Sequence, residues 1–157
     1  MSGIVLSRLT ALGITLPPVS DPGANYVQWT RSGAILYITG QLPKWQNERR
    51  FIGRLGAELD IAQGQEAARL CALNVVAVVH AALDGDLDRV VRCLRVRGFV
   101  NATPDFSSHS QVVNGASDLM VQVFGDAGRH TRTAVGASLP YGCAVEVDAE
   151  FEVLARG

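Results

Sequence analysis

Lysine is nearly absent from this 157-residue sequence. Lys44 is the only one, and the 14 basic residues are balanced by 15 acidic residues to a net charge of -1. Proteins that bind nucleic acid usually carry a surplus of basic residues that neutralises the phosphates. Because that surplus is missing, we do not expect nucleic acid to be a partner of this protein.

Cysteine is also scarce. The three cysteines, Cys71, Cys93 and Cys143, are far apart, and none has the Cys-x-x-Cys or Cys/His spacing that is typical of metal sites. A disulfide framework and a bound metal are therefore not expected. We predict free, reduced thiols that are partly buried, which suits a reducing cytosol.

Long apolar runs are missing as well. The most apolar stretch, residues 71–83, has about half the length that a membrane span needs, and Asn74 and His80 interrupt it. Residues 4–14 are too short and too interrupted for the apolar region of a secretory signal followed by a cleavage site. We therefore expect a cytoplasmic protein without a membrane partner.

The sequence motifs of several common enzyme classes do not occur. There is no P-loop, no dinucleotide-binding glycine pattern, no nucleophile elbow around a serine and no HExxH zinc motif. The glycine-containing segments 53–56 and 125–128 lack the surroundings of a phosphate-binding loop. We interpret both segments as turns.

The composition that remains fits one domain over residues 1–157. The hydrophobic fraction of 48% is enough for a core, and 16 glycines and six prolines supply turns without making the chain low in complexity. No internal repeat and no linker divides the chain.

The spacing of apolar residues predicts the order β-β-(β)-α-β-α-β-β after a short N-terminal helix. The predicted helices and strands are a helix over 3–13, strands over 26–30 and 35–39, a loop over 40–47, a short edge strand over 50–56, a helix over 61–83, a strand over 87–101, a helix that starts after Ser107 or Ser108 and ends at Gly125, and strands over 131–137 and 144–154. Asp60 is the predicted N-cap of the long helix, and Gly85 closes it.

This order predicts an α+β fold in which two amphipathic helices cover one face of a single mixed sheet. On the last strand, valine, alanine and phenylalanine alternate with four carboxylates, Glu146, Asp148, Glu150 and Glu152. The carboxylates belong to the open face, where Arg95 and Arg97 of another strand can pair with them. This face must be solvated or covered by another subunit.

Arg132 is the strand residue with the most suggestive chemistry, because a guanidinium offers a rigid fork that can hold a carboxylate with two hydrogen bonds. The residues alone leave the alternative of an ordinary salt bridge with a residue such as Glu146. Of the three histidines, His80 and His109 are interpreted as structural. His130 is two positions from Arg132 and could line the same site.

Several segments occur in the order found in one known family. They are residues 25–28 (Asn-Tyr-Val-Gln), 35–43 (strand ending in Thr-Gly-Gln-Leu-Pro), 85–90 (Gly-Asp-Leu turn), 99–101 and 104–106, Asn114 in the second long helix, 132–135 (Arg-Thr-Ala-Val), and 139–147. From about residue 24 onward the chain resembles the YjgF/Rid family of reactive-intermediate (imine) deaminases, also called endoribonuclease L-PSP proteins. Residues 1–23 are an N-terminal extension with a short helix.

The resemblance implies a chorismate-mutase-like α+β fold that forms a homotrimer through its open sheet faces, with small-molecule pockets between subunits. In deaminase members the signature arginine grips the carboxylate of a 2-imino or 2-enamino acid, a role that falls here to Arg132. Glu146 would position or activate the attacking water. No cofactor is implied, because an imine carbon is already electrophilic. The implied ligand-binding residues are Tyr26, Thr39, Gly40, Asn114 and Ala134.

The chain departs from the deaminase pattern in ways that change the pocket walls and indicate a longer subgroup. It has the N-terminal extension, a longer segment over 105–114, a shorter segment over 135–140, and Ala134 where deaminases often carry cysteine. Three functions stay open. They are cofactor-free hydrolysis of imino acids or a related small carboxylate, binding of a small carboxylate without turnover, and an endoribonuclease activity, against which the net charge argues.

Overall fold

The computed structural model describes residues 3–155. The elements are helices α1 (Ile4–Ala11), α2 (Ile61–Ala82) and α3 (His109–Phe124), and strands β1 (Trp29–Ser32), β2 (Ile35–Gln41), β3 (Lys44–Trp45), β4 (Glu48–Arg49), β5 (Val90–Val100), β6 (Thr131–Gly136) and β7 (Val145–Val153). The first two and last two residues of the predicted domain lie outside the described part.

The main sheet has five strands in the order β1-β2-β7-β5-β6. The β5–β6 pair is parallel, and the other three pairs are antiparallel. Helices α2 and α3 pack against each other, and they contact β7 and β5. The predicted α+β fold, with one main mixed sheet and two helices on one face, is confirmed.

Strand β7 lies at the centre of the sheet and carries the clearest sequence signal. Its odd-numbered residues from Val145 to Val153 are buried under the helices, and the four carboxylates between them are only half-buried. Phe151 is fully buried and packs edge-on against Phe124 at the end of α3. Burial of one such aromatic side chain stabilises a fold by about 1.5–3 kcal/mol.

The ends of α2 follow the prediction. The Asp60 side chain accepts a hydrogen bond from the Gln63 backbone N–H at 2.8 Å, and the Gln63 side chain accepts one from the Asp60 N–H at 2.9 Å. This capping box satisfies two backbone donors at the helix start. At the other end Gly85 has a φ of 88°, and its N–H donates to the His80 carbonyl.

The N-terminal helix α1 docks on the core. The Asp88 carboxylate accepts hydrogen bonds from the Ile4 and Val5 backbone N–H groups at 2.8 and 2.9 Å. The Arg8 side chain donates to the Val123 carbonyl of α3 at 2.8 Å. Because these bonds join α1 to distant parts of the chain, the extension is tied to the main body.

The connection between β2 and α2 differs from the prediction. The loop predicted over 40–47 contains the end of β2 and a small hairpin of β3 and β4. The edge strand predicted over 50–56 does not form, because Phe51 (φ 56°) and Gly53 (φ 134°) leave the extended conformation. Ile52 makes only an isolated bridge to Cys143.

Two strand starts also shift. The strand predicted from residue 26 begins at Trp29, after a bend. The strand predicted from residue 87 begins at Val90, because residues Leu87–Arg89 form a 3-10 turn capped by the Asp86 carboxylate.

The three cysteines are free and buried, as predicted. Burial raises the pKa of the Cys93 thiol to about 12 and also raises the pKa values of Cys71 and Cys143. Protonated, buried thiols are poor nucleophiles, so these residues belong to the core. Within residues 3–155, no helix is long and apolar enough to cross a membrane.

Candidate functional site

Arg132 lies on edge strand β6 and points toward α3. Its register partner on β5 is the fully buried Val96, so the side chain leaves the sheet on the helical face. The Nη1 atom donates to Asn114 Oδ1 at 2.7 Å and to Ser117 Oγ at 3.3 Å. In the described part of the chain, Arg132 makes no salt bridge, so the alternative of an ordinary ion pair with Glu146 is wrong for the single chain.

His130 fixes the hydroxyl that supports Arg132. The His130 Nδ1 atom lies 2.7 Å from the Gly128 carbonyl and must donate to it, so in the neutral ring Nε2 accepts from the Ser117 hydroxyl at 2.8 Å. Burial lowers the pKa of His130, and the Arg132 charge lowers it further. The neutral ring therefore orients Ser117 toward the guanidinium.

We call Asn114, Ser117, His130 and Arg132 the Arg132 cluster. Ser117, His130 and Arg132 line a shallow cavity of about 300 Å³. Ala134 follows Arg132 on the same face of β6 and packs against the core. The structure places His130 and Asn114 beside Arg132, and the predicted ligand-binding role of Asn114 stays a prediction. Ser117 was missed because only the tertiary fold brings α3 against β6.

Glu146, at the start of β7, lies against the end of β2. A Cβ atom placed on Gly40 would sit 3.0 Å from the Glu146 carboxyl carbon, so the absence of a side chain there leaves room for the carboxylate. Among the described residues, Glu146 has no hydrogen-bond or salt-bridge partner for its carboxylate. Burial and the neighbouring Asp148 raise the pKa of Glu146.

The Glu146 carboxylate lines a cavity of about 360 Å³, which we call the Glu146 cavity. Its walls come from the end of the N-terminal extension, the end of β2, the β3–β4 hairpin and the turn before β7. Tyr26 and Gly40 line this cavity, and Tyr26 also lines an adjoining groove of about 590 Å³ that contains Thr39. Tyr26, Thr39, Gly40 and Glu146 thus form a second group.

A chain of amides holds the extension over this cavity. Gln41, which is only 8% exposed, donates to the Gln28 side chain at 2.8 Å. The Gln28 side chain donates in turn to the Ser20 carbonyl at 2.6 Å. The two glutamines were not singled out in the sequence, because a polar residue at a strand end gives no sign of burial until the chain folds over it.

The two groups of predicted site residues lie on opposite faces of the sheet. Glu146 is in register with Phe99 and alternates with buried residues of β7, so it belongs to the open face, whereas Arg132 belongs to the helical face. Strands β6 and β7 flank β5 and are therefore separated by about 10 Å. One chain does not bring Arg132 and Glu146 together on one small ligand.

Residues that could hold a metal ion do not converge in this part of the protein. Across residues 3–155 no group of three or more His, Cys, Asp or Glu side chains is arranged to hold one. The chemistry available at the two groups is that of a guanidinium, an imidazole, a carboxylate, hydroxyls and amides.

Comparison with known proteins yields matches over nearly the whole chain. A family model described as "YjgF/chorismate_mutase-like, putative endoribonuclease" matches residues 6–149. Protein TCP17 of Trypanosoma cruzi is 52% identical over 154 residues, which cover 97% of this chain and 96% of that protein.

Two solved structures are also similar. The protein Atu1372 from Agrobacterium tumefaciens has a TM-score of 0.90 and 45% identity, with 97% of this chain and 94% of that chain covered. A protein from Shewanella oneidensis described as a "putative endoribonuclease" has a TM-score of 0.93 and 33% identity, with 96% and 100% covered.

Proposed function

This chain belongs to the YjgF/chorismate mutase-like family, and on that premise we propose that it hydrolyses 2-imino or 2-enamino acids, or a related small carboxylate, without a cofactor. The observation that carries the proposal is the presence in one chain of two chemically complementary groups that each lack a charged partner. Among residues 3–155, one is an oriented guanidinium that makes no salt bridge, and the other is a carboxylate that makes none.

Arg132 is suited to hold the substrate carboxylate. Its Nη1 atom is occupied by Asn114 and Ser117, which fixes the plane of the guanidinium. Its Nε and Nη2 atoms have no partner among residues 3–155, and together they present two parallel N–H donors. A carboxylate that accepts both would be held in a defined orientation.

Glu146 is suited to activate water. Its raised pKa brings the carboxyl closer to neutrality, where proton transfer in both directions is most effective. The carboxylate takes a proton from water as the water oxygen bonds to the imine carbon. As the water oxygen bonds, the electron pair of the carbon–nitrogen double bond moves to nitrogen, which takes that proton from Glu146 and leaves a carbinolamine. Glu146 then carries the hydroxyl proton of the carbinolamine to the same nitrogen. The carbon–nitrogen bond breaks, the hydroxyl oxygen becomes the carbonyl oxygen, and a 2-oxo acid and ammonia leave.

The opposite placement of the two groups supports a pocket built by two copies of the chain. A homotrimer that covers the open sheet faces would bring the Glu146 side of one protomer against the Arg132 edge of the next. The open face carries apolar side chains that favour such contact, since Tyr37 and Val135 are each 43% exposed.

The test is the turnover of freshly generated 2-aminoacrylate, followed by release of ammonia. We expect Arg132→Ala and Glu146→Gln each to lower kcat/KM by about 10²-fold or more, because each removes charge stabilisation or proton transfer in the transition state. Equal rates for the wild type and Arg132→Ala would contradict the proposal.

Binding without turnover is a second candidate, favoured by the Arg132 fork alone. A small carboxylate that raises the melting temperature of the wild type but not of Arg132→Ala, with no product formed from any imino acid, would support it. An endoribonuclease activity would be supported instead by RNA cleavage that persists through purification and disappears in the Arg132→Ala or Glu146→Gln variant.

A further inference from the structure

The β3–β4 hairpin places two cations directly opposite each other. Lys44 and Arg49 are register partners across the hairpin, which turns through Gln46 and Asn47, both with positive φ. Like charges at directly opposite positions destabilise a strand pair. Neither cation forms a salt bridge within the described residues, so no carboxylate there neutralises the pair.

The surrounding structure fixes the Lys44 backbone and the Arg49 side chain. Asn74, buried in α2, donates from Nδ2 to the Lys44 carbonyl at 2.9 Å. The Arg49 guanidinium stacks 3.3 Å above the centre of the Tyr141 ring. Tyr141 has a φ of 59°, a conformation that costs energy for a residue with a side chain and that occurs often at ligand sites.

The two cations face the Glu146 cavity. Lys44, Arg49 and Tyr141 all line it. The pKa of the adjoining Cys143 thiol is raised by burial, and the fields of Arg49 and Lys44 oppose that rise. Neither cation forms a salt bridge with Glu146, which lines the same cavity.

We propose that Lys44 and Arg49 form a second anion subsite, so that the ligand carries a second acidic group besides the carboxylate held by Arg132. The proposal rests on the proposed function for the position of the first carboxylate. The second group is a carboxylate or a phosphate, because both match the donors of a guanidinium and an ammonium. The substrate class is then a small dianionic imino acid.

Calorimetric titration of the full chain tests this with matched ligands. Glutarate is compared with its half-amide, which has the same shape and one carboxylate fewer, and with 4-phosphonobutanoate. We expect a dianion to bind the wild type at least about tenfold more tightly than the half-amide, because one charge-assisted hydrogen bond contributes about that much to the affinity. The tighter of the two dianions identifies the second acidic group.

The variant Lys44→Gln/Arg49→Gln should lose this preference, whereas Arg50→Gln should keep it. Arg50→Gln is the matched control. The substitution removes one positive charge next to the hairpin, and Arg50 does not line the cavity. The proposal is overturned if neither dianion binds more tightly than the half-amide, or if the preference survives in the double variant.

Arg132→Ala separates this proposal from the proposed function. We expect it to weaken all three ligands together, because each carries the first carboxylate. If Arg132→Ala leaves every affinity unchanged while the double variant still abolishes the preference, the proposed role of Arg132 fails and the second anion subsite stands.

Discussion

At the scale of the residue, the role proposed for Glu146 comes at a cost to stability. It is a half-buried carboxylate with no partner among the described residues, and its folded-state pKa lies above the ordinary value. A carboxyl whose pKa is higher in the folded state than in the unfolded state stabilises the fold at pH values below its unfolded-state pKa. This contribution is lost as the pH rises through the folded-state pKa. We therefore interpret the unpaired carboxylate as a feature retained for catalysis.

This gives a pH prediction for Glu146. As the base, Glu146 must be deprotonated, so kcat/KM should fall on the acid side through an apparent pKa above the usual glutamate value of about 4.3. In Glu146→Gln, the remaining kcat/KM should no longer fall at acid pH. At pH 7 this variant should melt at the same temperature as the wild type, or higher. A Glu146→Gln protein that keeps the wild-type pH profile would exclude Glu146 as the base.

A second pH prediction concerns His130 and the free energy of unfolding. Its folded pKa is lowered by burial, so the neutral ring contributes stability above its unfolded pKa of about 6.5, and this is lost as pH falls through the folded value. The difference in free energy of unfolding between wild type and His130→Gln, measured by urea titration, should therefore shrink from pH 7.5 to pH 5. A constant difference would show that His130 does not titrate in this way.

The site residues differ in how far their positions follow from sequence. Arg132, Tyr26, Glu146 and Gly40 could be named from a resemblance, since they lie in contiguous signature segments. Ser117 could not, because its role depends on α3 meeting β6 rather than on any local pattern.

At the scale of the element, patterns with a physical period predicted structure well. The alternation in β7 and the helical spacing in α3 both reflect one face packed on the core, and both elements were placed within a few residues. The β3–β4 hairpin was missed because its turn uses Gln46 and Asn47 rather than a glycine at either positive-φ position. Lys44 and Arg49 were therefore assigned to a loop.

The two helix starts allow a matched test of capping. Asp60→Ala removes the capping box of α2 and should cost about 1 kcal/mol in the free energy of unfolding. Ser108 holds the corresponding position in α3, but its side chain makes no capping hydrogen bond, so Ser108→Ala should be close to neutral. Urea denaturation of both variants measures the difference, and equal losses would show that the box contributes nothing specific.

At the scale of the whole molecule, the N-terminal extension and the main sheet together form part of the wall of the Glu146 cavity. Residues 20–24 line the Glu146 cavity, and the Gln41–Gln28–Ser20 hydrogen bonds hold them there. The resemblance begins near residue 24, so the contribution of the extension to the pocket wall could not be predicted. This chain therefore lines the cavity with residues of its own extension.

Arg132 and Glu146 lie on opposite faces of the sheet, and at this scale their placement constrains how a complete pocket can form. Since β5 separates their strands and their side chains leave different faces, one chain does not bring the two side chains onto one small ligand. If a complete pocket takes its arginine from one protomer and its glutamate from the next, two inactive variants should repair each other.

Co-expression of Arg132→Ala with Glu146→Gln tests this most directly. In a randomly mixed trimer about one interface in four joins an intact Arg132 to an intact Glu146, so the mixture should recover about a quarter of the wild-type imine hydrolysis. Each variant expressed alone should stay inactive. Activity in the mixture no greater than that of the two variants alone would contradict a pocket shared between subunits.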